Sequence, residues 1–192
     1  MSTTMTYHIE DIKRMYQEKG KLKYIFFWGH TEKGNEITKA CFSQWYPCTF
    51  EINENSYFTT EQYMMAQKAL LFQDKEIYQK IMEAGHPNEF KQLGRKIQHF
   101  KEEIWNEKKY DIVVEGNFAK FSQNKELGDY LIQTGSRVLV EASPYDKIWG
   151  IGMAADNEKA ENPLMWKGQN LLGFALMEVR DKLKNRKEQK GK

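Results

Sequence analysis

Within TTEQYMMAQKALLF, residues 59–72, acidic, amide and basic side chains interrupt what otherwise reads as the apolar face of a helix. Thr59 followed three residues later by Gln62 fits a capping box and puts Glu61 in the first helical turn. Lys68 follows two turns later, about 10 Å along the same side, with Met64 and Met65 between them. One face would then present a carboxylate able to move a proton, an apolar floor, and an amine able to hold an anion or attack an electrophile. Gln67 adds a further polar group, and such groups are costly to desolvate unless they are paired or used. Structural roles compete with this chemistry. A first-turn carboxylate complements the helix dipole by about 0.3–1 kcal/mol, and an amphipathic lysine can snorkel out of an apolar face.

A second candidate stretch is DKIWGIG, residues 146–152, where Asp146 and Trp149 flank Gly150 and Gly152. Glycines there allow close backbone approach to a ligand, while Asp146 could equally be a turn residue. Residues 150–155 also match G-x-G-x-x-A, but no strand abuts Gly150 and ADNEKAENP is a poor helix opening, which excludes a dinucleotide fold. Trp105, near the start of a long helix, either packs on the core or offers a stacking face. His8, His30, His86 and His99 are scattered, with no H-E-x-x-H, no G-x-S-x-G and no P-loop, so neither a metal nor a cofactor is expected.

These residues need elements to hold them. A charged helix over 8–19 ends at Gly20, KYIFFWG reads as a strand, and CTFEINENSYF as a small hairpin. Helices follow at about 59–72, 74–84, 87–97, 101–122 and 125–134. RVLVEA at 137–142 is a short strand, 143–167 a long loop, and Leu172, Ala175, Leu176, Val179 and Leu183 mark a last helix from about Gly168 to Lys184. The expectation is a mainly α single compact domain with a few short β-strands.

The 192 residues suffice for one core. A formal net charge of +2 gives no global field of the kind a nonspecific nucleic-acid binder carries. The local basic excess, from Lys182 to Lys192, reads as a solvated tail. Cys41 and Cys48 match no metal or redox spacing and are expected to be free thiols. MSTTMTYHIE lacks the apolar core of a signal peptide and no long apolar run occurs, so a cytoplasmic protein without membrane contact is expected.

Taken in order, FFWG, FSQWYPCTF, YFTTEQYMMAQKALLF, LGRKI, IWNEKKYDIV, DKIWGIG and KGQNLLGFALMEVR resemble the NADAR or YbiA-like family. The resemblance covers about residues 24–184, leaving 1–23 as a helical lead-in and 185–192 as a basic tail. It implies hydrolysis of an N-glycosidic bond to ribose, in a riboflavin-pathway ribosylaminopyrimidine or in a base carrying ADP-ribose. Glu61, Lys68, Trp105 and Asp146 match the positions associated with activity. Arg95, Trp149, Gly150 and Asn170 match pocket-lining positions, and Phe27, Trp28, Gly29, Ser43, Gln67 and Gly152 complete the candidate substrate-binding set. The family usually reads F-S-N-F where this chain has Phe42, Ser43, Gln44 and Trp45, a change in the pocket wall that bears on substrate identity.

The implied reaction passes through an oxocarbenium-like state, which needs an anion near the anomeric carbon, a proton for the leaving base and a nucleophile. Glu61 and Asp146 could divide acid and base work. Trp105 would stack on base or sugar, and backbone amides around Gly150 and Gly152 could hold phosphate oxygens. Lys68 either forms a Schiff base with ring-opened ribose or grips a phosphate. The expected partner is a small nucleotide-like molecule or ADP-ribosylated nucleic acid, with no obligate protein partner. The competing class is a module that binds ADP-ribose without cleaving it.

Overall fold

A computed structural model describes residues 6–190 apart from 33 and 35; the first five residues of the expected lead-in and the last two of the basic tail lie outside the described residues. Seven α-helices and two two-stranded sheets make up the described chain. They are α1 (Ile9–Lys19), β1 (Tyr24–Phe27), β2 (Phe50–Ile52), β3 (Asn55–Tyr57), α2 (Thr60–Leu71), α3 (Lys75–Glu83), α4 (Pro87–Gly94), α5 (Glu102–Gln123), α6 (Lys125–Gln133), β4 (Val138–Glu141) and α7 (Leu171–Lys190).

The helix that carries Glu61 forms for a local reason. Thr59 Oγ1 accepts the Gln62 N–H at 3.1 Å, as a capping box requires. The reciprocal bond is displaced by one residue, since Gln62 Oε1 accepts from Phe58 N–H at 2.8 Å and Gln62 Nε2 donates to Ile81 O across to α3. Just ahead of α2, β2 and β3 form the expected hairpin, with Asn53 and Glu54 both at positive φ in its two-residue turn.

The other sheet is not local. β1 pairs with β4 in parallel, from Tyr24 opposite Val138 to Phe27 opposite Glu141, so strands from the first and last thirds of the chain end side by side. α7 passes behind them, and all ten residues 171–180 are buried. It is a central helix rather than the one-faced helix its apolar spacing suggests.

Three boundaries differ from the expected ones. α7 starts at Leu171 instead of Gly168, because Asn170 holds a left-handed φ of 55° that a helix cannot include. It runs on to Lys190 rather than stopping at Lys184, through lysine, arginine, glutamate and glutamine, which are all good helix formers. Asp129 on α6 takes both Lys125 and Lys187, tying that extension down where a solvated tail was expected. α4 stops at Gly94 because the next two N–H groups, of Arg95 and Lys96, bond three residues back and tighten the last turn. Both cysteines are free, and among the described residues no helix is long and apolar enough to cross a membrane.

Candidate active site

β1 and β4 release their chains at one end of the parallel pair, and the residues that follow form two walls of a cavity of about 610 Å³. Trp28, Gly29 and His30 come from the end of β1; Glu141 ends β4 and leads into Ser143, Asp146 and Trp149. The helical wall is the face of α2 that carries Glu61, Met64, Met65 and Lys68, with Glu61 and Lys68 two turns apart and the two methionines between them. Lys91 and Gly94 of α4, with Arg95 just beyond it, close one side, and Ser43, Gln44 and Trp45 close another.

The 43–45 segment is fixed from inside. Lys120 of α5 is fully buried and its ammonium donates to Cys41 O at 2.7 Å and Ser43 O at 3.1 Å. Burial without an acidic partner pushes its pKa down to about 8. Gln44 O in turn accepts the Glu61 N–H at 3.0 Å, so the segment is pinned to the first turn of α2.

Glu61 is 5% exposed, and burial pushes its carboxyl up to about 7. Lys91 opposes that rise, Asp146 adds to it, and the Trp45 indole and Lys68 oppose it further. Lys68 is half-buried, with its Nζ donating to Gly94 O at 3.0 Å and lying 4.3 Å from the Phe100 ring centre and 5.5 Å from that of Trp105. Burial lowers its pKa, with Glu61 acting the other way. Asp146 Oδ1 accepts the N–H groups of Ile148 and Trp149, each at 2.8 Å, which makes it a turn residue as well as a cavity residue.

The cavity brings together Glu61, Lys68, Asp146, Trp28, Gly29, Ser43, Arg95 and Trp149. Six other candidates lie elsewhere. Phe27, the last residue of β1, points into the core against Phe42, while Trp28, the next residue along, turns to the other side and reaches the cavity. Gln67 sits on another face of α2, near Tyr57 and away from the cavity. Trp105 packs against the core and meets the cavity only through Lys68. Gly150 is required by the backbone, since a Cβ there would sit 2.7 Å from Glu141 O. Gly152, at φ +66°, donates its N–H to Asp146 O and so does not offer it to a phosphate.

Asn170 is a clamp rather than a pocket residue. Its Oδ1 accepts from Glu141 N–H and its Nδ2 donates to Leu139 O, both at 2.9 Å and fully buried. Asn170→Ala is expected to lower stability by about 1–3 kcal/mol for each backbone group left unpaired, measured by denaturant unfolding. Unchanged stability would remove the clamp.

Gln44 and Trp45 line the cavity as the departure from F-S-N-F suggests, and Glu141, Lys91 and His30 line it without having been expected there. Glu141 had one usable signal, an acidic residue closing the apolar strand RVLVEA, since ligands of parallel sheets gather at the carboxyl ends of strands. Its Oε2 has no exposed surface and no hydrogen-bond partner. Burial pushes its carboxyl up to about 8, with Asp146 and Glu61 adding to the rise and Lys91 opposing it. Among the described residues no group of three or more His, Cys, Asp or Glu side chains is placed to hold a metal ion.

Comparison with known proteins agrees in extent with this fold and cavity. Residues 26–184 match the NADAR domain. N-glycosidase R617 of Acanthamoeba polyphaga mimivirus is 46% identical over 164 residues, spanning 83% of this chain and 95% of that protein. N-glycosidase Npun_R5314 of Nostoc punctiforme is 34% identical over 146 residues, spanning 76% of this chain and 86% of that one. The NMR structure of the E. coli protein YbiA superposes with a TM-score of 0.70 at 26% identity, covering 87% of this chain and 88% of that one.

Proposed function

Because the chain belongs to the NADAR family and is a hydrolase of N-glycosyl compounds, we propose that it cleaves the bond between a base and the ribose of an attached ADP-ribose. The observation that carries this reading is the convergence of Glu61, Asp146 and Lys68 on one cavity that Lys91 and Arg95 border with positive charge. Carboxylates suit the cationic anomeric carbon, and cationic side chains suit phosphates.

The mouth of the cavity favours the larger of the two substrate types. Trp28 is 58% exposed and Tyr145 87% exposed, with ring centres 6.2 Å apart. A pair of solvent-facing aromatic rings on a cavity that Lys91 and Arg95 also line suits a second base stacked at its mouth, which ADP-ribose has and a ribosylaminopyrimidine phosphate lacks. Trp28→Ala is therefore expected to raise KM for ADP-ribosylated guanosine by the equivalent of about 1–3 kcal/mol, the usual worth of a stacked base. The KM for a ribosylaminopyrimidine phosphate should stay unchanged. Equal effects on both would remove the stacking role.

Incubating the purified protein with each compound and measuring released base tests the function. Release from ADP-ribosylated guanosine is the expected result. Binding without release from either compound would make the protein a nucleotide-binding module instead.

A further inference from the structure

N-glycoside hydrolysis needs a proton for the departing base, and the cavity's three carboxyl groups are differently engaged. Asp146 Oδ1 is occupied by two backbone N–H donors. Glu61 is approached by the Trp45 indole and by the Lys91 and Lys68 ammonium groups. Glu141 alone has a buried oxygen with no partner, at the wall of the cavity. Its mount is rigid: the Glu141 N–H is held by Asn170, its carbonyl accepts Ile151 N–H at 2.9 Å, and its strand is paired through Phe27. One oxygen of this carboxyl is buried without a partner, and the group itself lines the cavity, fixed in place for whatever occupies it.

We infer that Glu141 is the acid that protonates the departing base, its carboxyl on the cavity wall meeting the nitrogen that links base to ribose. Resting as it does on the proposed N-glycosidase activity, the assignment gives each proton a place. As the bond from ribose C1 to nitrogen breaks, its electron pair goes to the nitrogen, which takes the Glu141 proton. The Lys68 nitrogen takes over C1, giving up a proton to Glu61. Water then displaces Lys68 from C1, and the net change is one water added across the original bond. Glu141 recovers its proton from solvent as Glu61 releases one.

The charged and titratable groups facing Glu141 are Asp146 from the following loop, Glu61 from α2 and Lys91 from α4, with Lys68, Arg95 and His30 around the same cavity. Burial and two neighbouring acids outweigh Lys91, so the carboxyl is raised from 4.5 to about 8 and can hold a proton at neutral pH. A carboxyl raised in the folded chain favours folding below its unfolded value near 4.5. That contribution is lost as pH rises through about 8.

The test compares the native protein with Glu141→Gln and Glu141→Asp, following turnover of ADP-ribosylated guanosine against pH and unfolding stability against pH. Glu141→Gln should lower kcat by about 10²–10⁴-fold with little change in KM, and should lack the fall in rate above about pH 8 that the native enzyme shows. Glu141→Asp, which keeps an acid, should retain that alkaline fall at an intermediate rate. The decline of native stability toward pH 8 should flatten in Glu141→Gln, a readout that needs no activity. A Glu141→Gln enzyme with near-native kcat would overturn the assignment, as would one that keeps the alkaline fall or loses only KM. If the native protein releases no base at all, the N-glycosidase reading fails instead, while the stability slope still reports whether Glu141 carries its proton.

Discussion

Glu61→Gln is expected to stay folded and to release base about 10²–10⁴ times more slowly than the native protein, the range found for removing a positioned acid or base. The amide keeps the shape of the side chain, so Trp45 and Lys91 retain a neighbour of the same size, but it can neither carry charge nor accept the proton. Because burial holds the native carboxyl at about 7, turnover should rise as pH passes through 7, when Glu61 becomes the anion the reaction needs. The same shift fixes a stability consequence. The raised carboxyl contributes stability below its ordinary value of 4.5 that is lost as pH rises through about 7, so Glu61→Gln should unfold no more easily than the native chain at pH 8. Wild-type turnover in the variant would reduce Glu61 to a residue of the helix start.

Lys68→Arg should lose on the order of 10³-fold or more in rate, as loss of a nucleophile does elsewhere. Lys68 lies half-buried over Phe100 and Trp105, an environment that lowers its pKa and so makes the free amine accessible. Borohydride added during turnover should reduce the imine between Lys68 and ribose C1 and leave the ribosyl fragment attached at that residue, where mass spectrometry of peptides would locate it. Arginine keeps the positive charge but forms no such adduct, so phosphate affinity should survive while trapping disappears. An active Lys68→Arg enzyme together with no trapped species in the native protein would leave Glu61, Asp146 and Glu141 to carry the reaction with water as the direct nucleophile.

What could be read from the sequence was what is written locally. The start of α2 is set by Thr59 and Gln62, three residues apart, and the order of Glu61 and Lys68 along it follows from helical spacing. The cavity places them on one face, as that spacing predicts. Asp146 was visible because a loop holding Asp, Trp and two glycines is unusual in composition. The residues misplaced are those whose surroundings come from distant chain. Gly150 and Gly152 suggest approach to a ligand, yet the backbone they make room for is that of Glu141, Asp146 and Lys167. Asn170 looked like a pocket amide and instead satisfies two backbone groups of β4. Glu141 itself reaches the cavity only because β4 lies beside β1, and nothing near residue 141 announces that neighbour.

That pairing also governs when the enzyme can exist. A parallel contact between the first and last thirds of the chain closes a very long loop, and contacts of that kind form late because the entropy of closure must be overcome before they return anything. The hairpin and the helices α2 to α6 can assemble early, since their contacts are close in sequence. The carboxyl groups meet across the cavity only after β4 docks on β1 and α7 covers it. On a translating ribosome, catalysis must therefore wait until nearly the whole chain has emerged, and a fragment cut before Val138 would keep Glu61 and Lys68 but have no active site.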